Sequence, residues 1–152
     1  TNLGLNLNQK TAVIPIGNPV EFVGHSQGGA LALTLAAELE RSGQQVASVL
    51  TAGAPTGGLG AKVKAPVLNL ENLADVVPAL DGRAAAAGAQ TTTVLFDSRQ
   101  LAGRGTGNAH SLETYTAAAA RLDREAEVDP AAKEVGEWTQ ARQEALGLDR
   151  VE

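Results

Sequence analysis

A short apolar strand that stops at a glycine, turns through one serine and gives way at once to a helix leaves a chain few ways to fold. Residues 20–29 read Val-Glu-Phe-Val-Gly-His-Ser-Gln-Gly-Gly. Val20 to Val23 reads as a short buried strand, and from Gly28 to Ser42 apolar residues recur at helical spacing, with Leu31, Leu35 and Leu39 on one stripe and Ala32 and Ala36 on another. So abrupt a change of direction needs a turn too tight for side chains at its flanks. Glycine there removes the Cβ atoms that would collide. Gly24 and Gly28 hold those flanking positions around Ser26. A serine at the apex carries its Oγ above the strand end, before a helix N-terminus that favours developing negative charge. Ser26 is therefore the candidate nucleophile. With 17 glycines among 152 residues the pentapeptide alone is weak, and its strand-then-helix context carries the inference. His25 is not expected to be the base, because adjacent residues on such a turn point apart; packing beside the pocket is the expected role.

Further along, Val46 to Thr51, Pro66 to Leu70 and Thr91 to Phe96 read as strands, the last of them β-branched. Thr56 to Ala65, with three glycines and two lysines, reads as a flexible stretch bordering the pocket. Glu71 to Asp81 reads as a polar loop, Ala84 to Gly88 as a linker or helix turn, and Asp97 to Asn108 as a glycine-containing loop. From His110 a helix is expected with Leu112, Tyr115, Thr116, Ala119 and Leu122 on one face. Asp129-Pro130 reads as a cap and first helical residue, opening a last helix to about Leu146 with Val135, Trp138 and Ala145 inward. Strands that are apolar throughout and separated by helices or long crossovers predict an α/β fold with a mostly parallel sheet flanked by helices. In such sheets the active residues gather beyond the C-terminal strand ends, where Ser26, Asp75 and His110 all fall.

A serine hydroxyl needs a base to accept its proton and an acid to orient that base. Of the two histidines, His110 is the candidate base, since a glycine-rich loop carries it away from the preceding strand. Asp75 is the preferred acid: a carboxylate among Leu73, Ala74, Val76 and Val77 is costly to bury unless paired, and an imidazole would pair it. Asp97 is the alternative, with Glu71 and Asp81 weaker candidates. The chain order serine, aspartate, histidine is that of α/β-hydrolases.

The chain resembles α/β-hydrolases of the lipase/esterase kind, and within them class 3 lipase-like proteins. The resemblance rests on Phe22-Val23-Gly24-His25-Ser26-Gln27-Gly28-Gly29, Thr51-Ala52-Gly53-Ala54-Pro55, Asp75-Val76-Val77-Pro78, and His110 with Leu112 and Tyr115. It implies Ser26 as nucleophile, Asp75 as acid, His110 as base and the Gln27 backbone N–H as one oxyanion donor. The family's sheet has several strands before the elbow, with a loop among them supplying a second donor, whereas 25 residues precede Ser26 here. The expected fold is thus a partial or reduced α/β-hydrolase, and a complementing N-terminal segment or a partner chain is an expected associate. The implied reaction is cleavage of carboxylic esters, lipid or acyl, through an acyl-enzyme. Acyl transfer to an acceptor other than water, and a catalytically incomplete module that binds, are the alternatives.

Composition bounds the rest. The chain suits one core, divided here into residues 1–127 as catalytic domain and 128–152 as a C-terminal helix packed on or extending from it. The absence of Met predicts a processed product, an excised domain or a fragment. With no Cys and two His, neither thiol chemistry nor a metal site is expected, and no cofactor is called for. The net charge of −5 is concentrated after residue 109, in ten acidic against five basic side chains. No basic patch interleaved with aromatics exists to bind nucleic acid, and no apolar run reaches transmembrane length. Neither a secreted nor a cytoplasmic location is favoured by the sequence.

Overall fold

A computed structural model describes residues 17–80, 90–100 and 108–126. The expected last helix, the 128–152 unit, Asp81 and the 84–88 segment lie outside the described residues. Within them the chain runs β1 (Val20–His25), α1 (Gln27–Arg41), β2 (Val46–Ala52), β3 (Val67–Asn72), β4 (Thr91–Phe96) and α2 (Leu112–Ala126). The four strands form one sheet in the order β1-β2-β3-β4. Every pairing is parallel, as the apolar strands predicted. This is an α/β architecture of the reduced α/β-hydrolase kind.

Side-chain alternation divides the sheet into two faces. Phe22, Val49 and Val67 join Leu33, Ala36 and Leu39 of α1 in one apolar core. Leu50, Ala52, Leu68, Leu70, Val94 and Phe96 meet Tyr115, Ala119 and Leu122 of α2 in the other. The two helices therefore cover opposite faces. α1 is buried at Ala32, Leu33, Leu35, Ala36, Ala37 and Leu39, just over half its circumference, which matches its small and apolar composition. Each fully buried Leu or Val contributes roughly 1.5–3 kcal/mol relative to exposure. α1 ends where Glu38, Leu39 and Glu40 carbonyls accept the N–H groups of Ser42, Gly43 and Gln44, with Gly43 at φ 84°.

Two local expectations are corrected. The second half of the 56–65 stretch is anchored and not flexible: Val63 and Ala65 are buried in the α1 core, and the Glu40 carboxylate accepts the Lys64 and Ala65 backbone N–H groups, both at 2.8 Å. Those bonds tie its second half to the end of α1 remote from Ser26. On α2 the inner face is Tyr115, Ala118, Ala119 and Leu122, whereas Leu112 and Thr116 are exposed. Tertiary packing has turned the helix slightly from the stripe that spacing alone suggested.

A polar thread crosses the buried sheet. Thr51 Oγ donates to Asn69 Oδ1 at 2.7 Å, and Asn69 Nδ2 donates on to Thr93 Oγ. Paired in this way, three polar side chains on adjacent strands avoid the cost of unsatisfied burial, about 1–3 kcal/mol per group.

Candidate active site

The turn at Ser26 is as sharp as the glycine pattern required. Ser26 adopts φ 58° and ψ −134°, and among the described residues it is the sole non-glycine with positive φ. Such a conformation costs about 1–3 kcal/mol and persists only where its surroundings enforce it. Here they do. The Ser26 N–H donates to the Ala52 carbonyl at the end of β2, and the Ser26 carbonyl accepts the Gly29 N–H, both at 2.9 Å. Below the turn the backbone of β1 crosses that of α1 at Gly24. A Cβ there would lie 2.3 Å from the Gly28 oxygen and 2.6 Å from the Gly29 Cα. Gly28, expected to need its missing Cβ for the same reason, does not: a Cβ there meets nothing within 4 Å. The second crowded glycine is Gly29, whose Cβ would fall 2.5 Å from that of Ala54. The crossing is thus sealed by Gly24 and Gly29, while Gly28 contributes only its backbone.

Three polar side chains converge above this turn. His110 Nδ1–H donates to Asp75 Oδ2 at 2.7 Å, and the Ser26 hydroxyl donates to His110 Nε2 at 2.8 Å. Because a carboxylate only accepts, Nδ1 carries the proton and Nε2 is left with a lone pair facing Ser26. The Ser26 side chain caps no helix N–H, so its hydroxyl is available to His110. Gln27 follows as the first residue of α1, where backbone N–H groups have no acceptor within the helix.

Asp75 is buried, 2% exposed, and its carboxylate is the acceptor in every bond it makes. Oδ1 takes the Val77 N–H at 2.9 Å; Oδ2 takes the Tyr115 hydroxyl at 2.8 Å besides His110. The Tyr115 oxygen itself accepts the Asn72 N–H at 3.2 Å, so its one hydrogen is free to go to Asp75. Burial pushes the Tyr115 phenol well above its ordinary range, which keeps that hydrogen in place. Gly53, at φ 57°, makes room for the ring: a Cβ on it would lie 2.9 Å from Tyr115. Asp97, the alternative acid, is held instead by Arg99, whose guanidinium donates to both of its oxygens at 2.8 Å and lowers its pKa. Glu71 lies within β3, one position before the strand's last residue.

Sequence reasoning gave no role to Asn72. Its buried amide accepts the Ser98 N–H at 3.0 Å and donates to the Ser98 hydroxyl at 2.9 Å and to the Ala109 carbonyl at 2.8 Å. One side chain at the end of β3 thereby joins the exit of β4 to the residue before His110. His25 was expected to pack beside the site, and its ring does lie 4.7 Å from that of His110 and 5.7 Å from that of Tyr115. It also donates Nε2–H to the His110 carbonyl at 2.8 Å.

A sequence model of the thioesterase domain matches residues 7–152, nearly the whole chain. The chain belongs to the thioesterase domain family. No curated protein and no solved structure matches it. This thioesterase family is of the α/β-hydrolase type, the superfamily to which the motifs pointed; the match does not single out class 3 lipases. As a thioesterase-domain protein the chain is assigned to hydrolysis of acyl esters or thioesters. Among the described residues no helix is long and apolar enough to cross a membrane.

Proposed function

We propose that this thioesterase domain hydrolyses acyl thioesters and related carboxylic esters through Ser26, His110 and Asp75. The observation that carries the reading is the unbroken chain of hydrogen bonds from Ser26 Oγ through His110 to Asp75, set on a strained turn at a helix N-terminus. Ser26 Oγ attacks the acyl carbonyl while His110 Nε2 takes its proton. The resulting oxyanion faces the start of α1, and the Gln27 N–H is the donor assigned to it. Collapse breaks the bond to the leaving sulfur or oxygen, which receives the proton from His110 and departs as thiol or alcohol. Water then attacks the acyl-serine, giving its proton to His110, and the acid is released as Ser26 is reprotonated. Asp75 fixes the ring and its tautomer and balances the charge the imidazole gains.

An apolar acyl group suits the surroundings. Val76 and Leu80, on the segment that carries Asp75, are 70% and 74% exposed, and Leu112 near His110 is 58% exposed. These side chains offer apolar surface at the same end of the sheet as Ser26, in keeping with acyl or lipid-like substrates. The test is steady-state hydrolysis of a matched pair, an acyl thioester and the oxyester of the same acyl chain. Both are expected to be turned over, and Ser26→Ala is expected to lose both. Turnover that survives Ser26→Ala would remove the serine mechanism.

A further inference from the structure

We propose that His25 is a positioning residue, which holds the base by its main chain from the same strand end that presents the nucleophile. This inference rests on the reading of Ser26 and His110 given above. Three observations carry it. First, His25 Nε2 lies 2.8 Å from the His110 carbonyl oxygen; a carbonyl only accepts, so His25 is the donor. Second, the bond answers a vacancy in the local backbone. α2 starts at Leu112, and its first turn bonds back to Ser111, whose carbonyl takes the Thr114 and Tyr115 N–H groups. The His110 carbonyl stands one residue outside that ladder and takes its hydrogen from His25. Third, His25 precedes Ser26 directly and ends β1, so the coordinates of the nucleophile and of the base's backbone are set by two consecutive residues of one strand.

The other restraints on this loop act around His110 without reaching its carbonyl. The His110 N–H donates to Asn108 Oδ1 at 2.9 Å, and the Ala109 carbonyl is held by Asn72. The ring is fixed by Asp75. Without His25 the peptide after His110 keeps only the Ser111 N–H bond to the Asn108 carbonyl, at 3.0 Å, its own carbonyl loses its partner, and the imidazole can swing about its bond to Asp75. A displacement of that kind, about 1 Å, is enough to cost on the order of a hundredfold in a reaction that depends on alignment. The histidine in the Gly24-His25-Ser26-Gln27-Gly28 pattern therefore has work of its own, separate from the glycines and the serine.

The test separates the donor from the ring. His25→Phe keeps an aromatic ring against His110 and Tyr115 and removes the N–H; His25→Gln loses the ring and keeps an amide donor at the reach of Nε2. Turnover of an acyl thioester should fall roughly ten- to a hundredfold in His25→Phe with KM changed less than about twofold, and His25→Gln should recover most of the loss. The low-field proton resonance of His110 Nδ1–H gives a readout independent of turnover: faster exchange with water is expected in His25→Phe, with wild-type behaviour in His25→Gln. Wild-type kcat and an unchanged resonance in His25→Phe would overturn the proposal, as would equal losses in both variants, which would assign the effect to ring packing. If wild type itself shows no Ser26-dependent turnover, the serine mechanism fails and this inference with it. If wild type is active and His25→Phe is indistinguishable from it, only this inference fails.

Discussion

Asp75→Asn is expected to lower turnover by roughly 10³–10⁴-fold while leaving the protein folded. The reason lies in the hydrogen-bond polarity around the carboxylate. Both oxygens accept: Oδ1 from the Val77 N–H, Oδ2 from His110 Nδ1–H and the Tyr115 hydroxyl. An asparagine amide has one oxygen and one NH2, so whichever way it turns, the NH2 meets a donor. If it faces Val77, a buried backbone bond is lost; if it faces His110, the imidazole must move its proton to Nε2, and Ser26 then faces a donor where it needs an acceptor. Either outcome adds about 1–3 kcal/mol of destabilisation. Steady-state kinetics beside thermal unfolding separates the two effects. A fall in kcat of less than about tenfold would mean that Asp75 does not orient the base.

Gly24→Ala is expected to be the most damaging glycine-to-alanine change among the described residues. The new carbon would sit 2.3 Å from the Gly28 oxygen and 2.5 Å from its carbonyl carbon, and both belong to backbone. No side chain can rotate away, so β1 and α1 must separate. Overpacking of this kind typically costs 1–3 kcal/mol or more against a total stability of about 5–15 kcal/mol. It also pulls apart the two segments that meet at Ser26. Gly28→Ala provides the contrast. Its Cβ points into open space at the second residue of α1, where alanine is favoured over glycine by about 0.5–1 kcal/mol. Chemical denaturation of the two variants should therefore give opposite signs. Equal destabilisation of both would show that the crowding is not local to Gly24.

That contrast also shows how far the sequence reached. The elbow was legible because its signals are local: strand, glycine, serine and helix occupy adjacent positions, and their spacing dictates the turn. Four strands were legible from apolar runs, and parallel pairing from the crossovers between them. The juxtaposition of Ser26, Asp75 and His110 followed from the rule that such loops share one end of the sheet. What local pattern cannot carry is a contact that exists only after folding. Gly29 is crowded by Thr51, inside the next strand, and by Ala54, just past its end. Asn72 looks like a turn residue, yet its partners are Ser98 and Ala109, 26 and 37 residues away. Tyr115 read as one member of a helix face, although its hydroxyl meets Asp75 across 40 residues of chain. His25 was set aside as a base and given only a packing role, and its bond to the His110 carbonyl spans 85 residues.

The 56–65 segment went astray for a related reason. Three glycines and two lysines suggest flexibility, but Val63 and Ala65 between the polar residues find the α1 core, and Glu40 takes two of the segment's N–H groups. A few well-placed apolar side chains outweigh composition once a complementary surface is near.

The central claim is that Ser26 is an activated nucleophile, and covalent labelling with a fluorophosphonate tests it most directly. Intact-mass analysis of the folded wild-type chain should show one adduct, peptide mapping should locate it on Ser26, and Ser26→Ala should take up none. A folded wild-type chain that takes up no label, or carries it on another residue, would contradict the account.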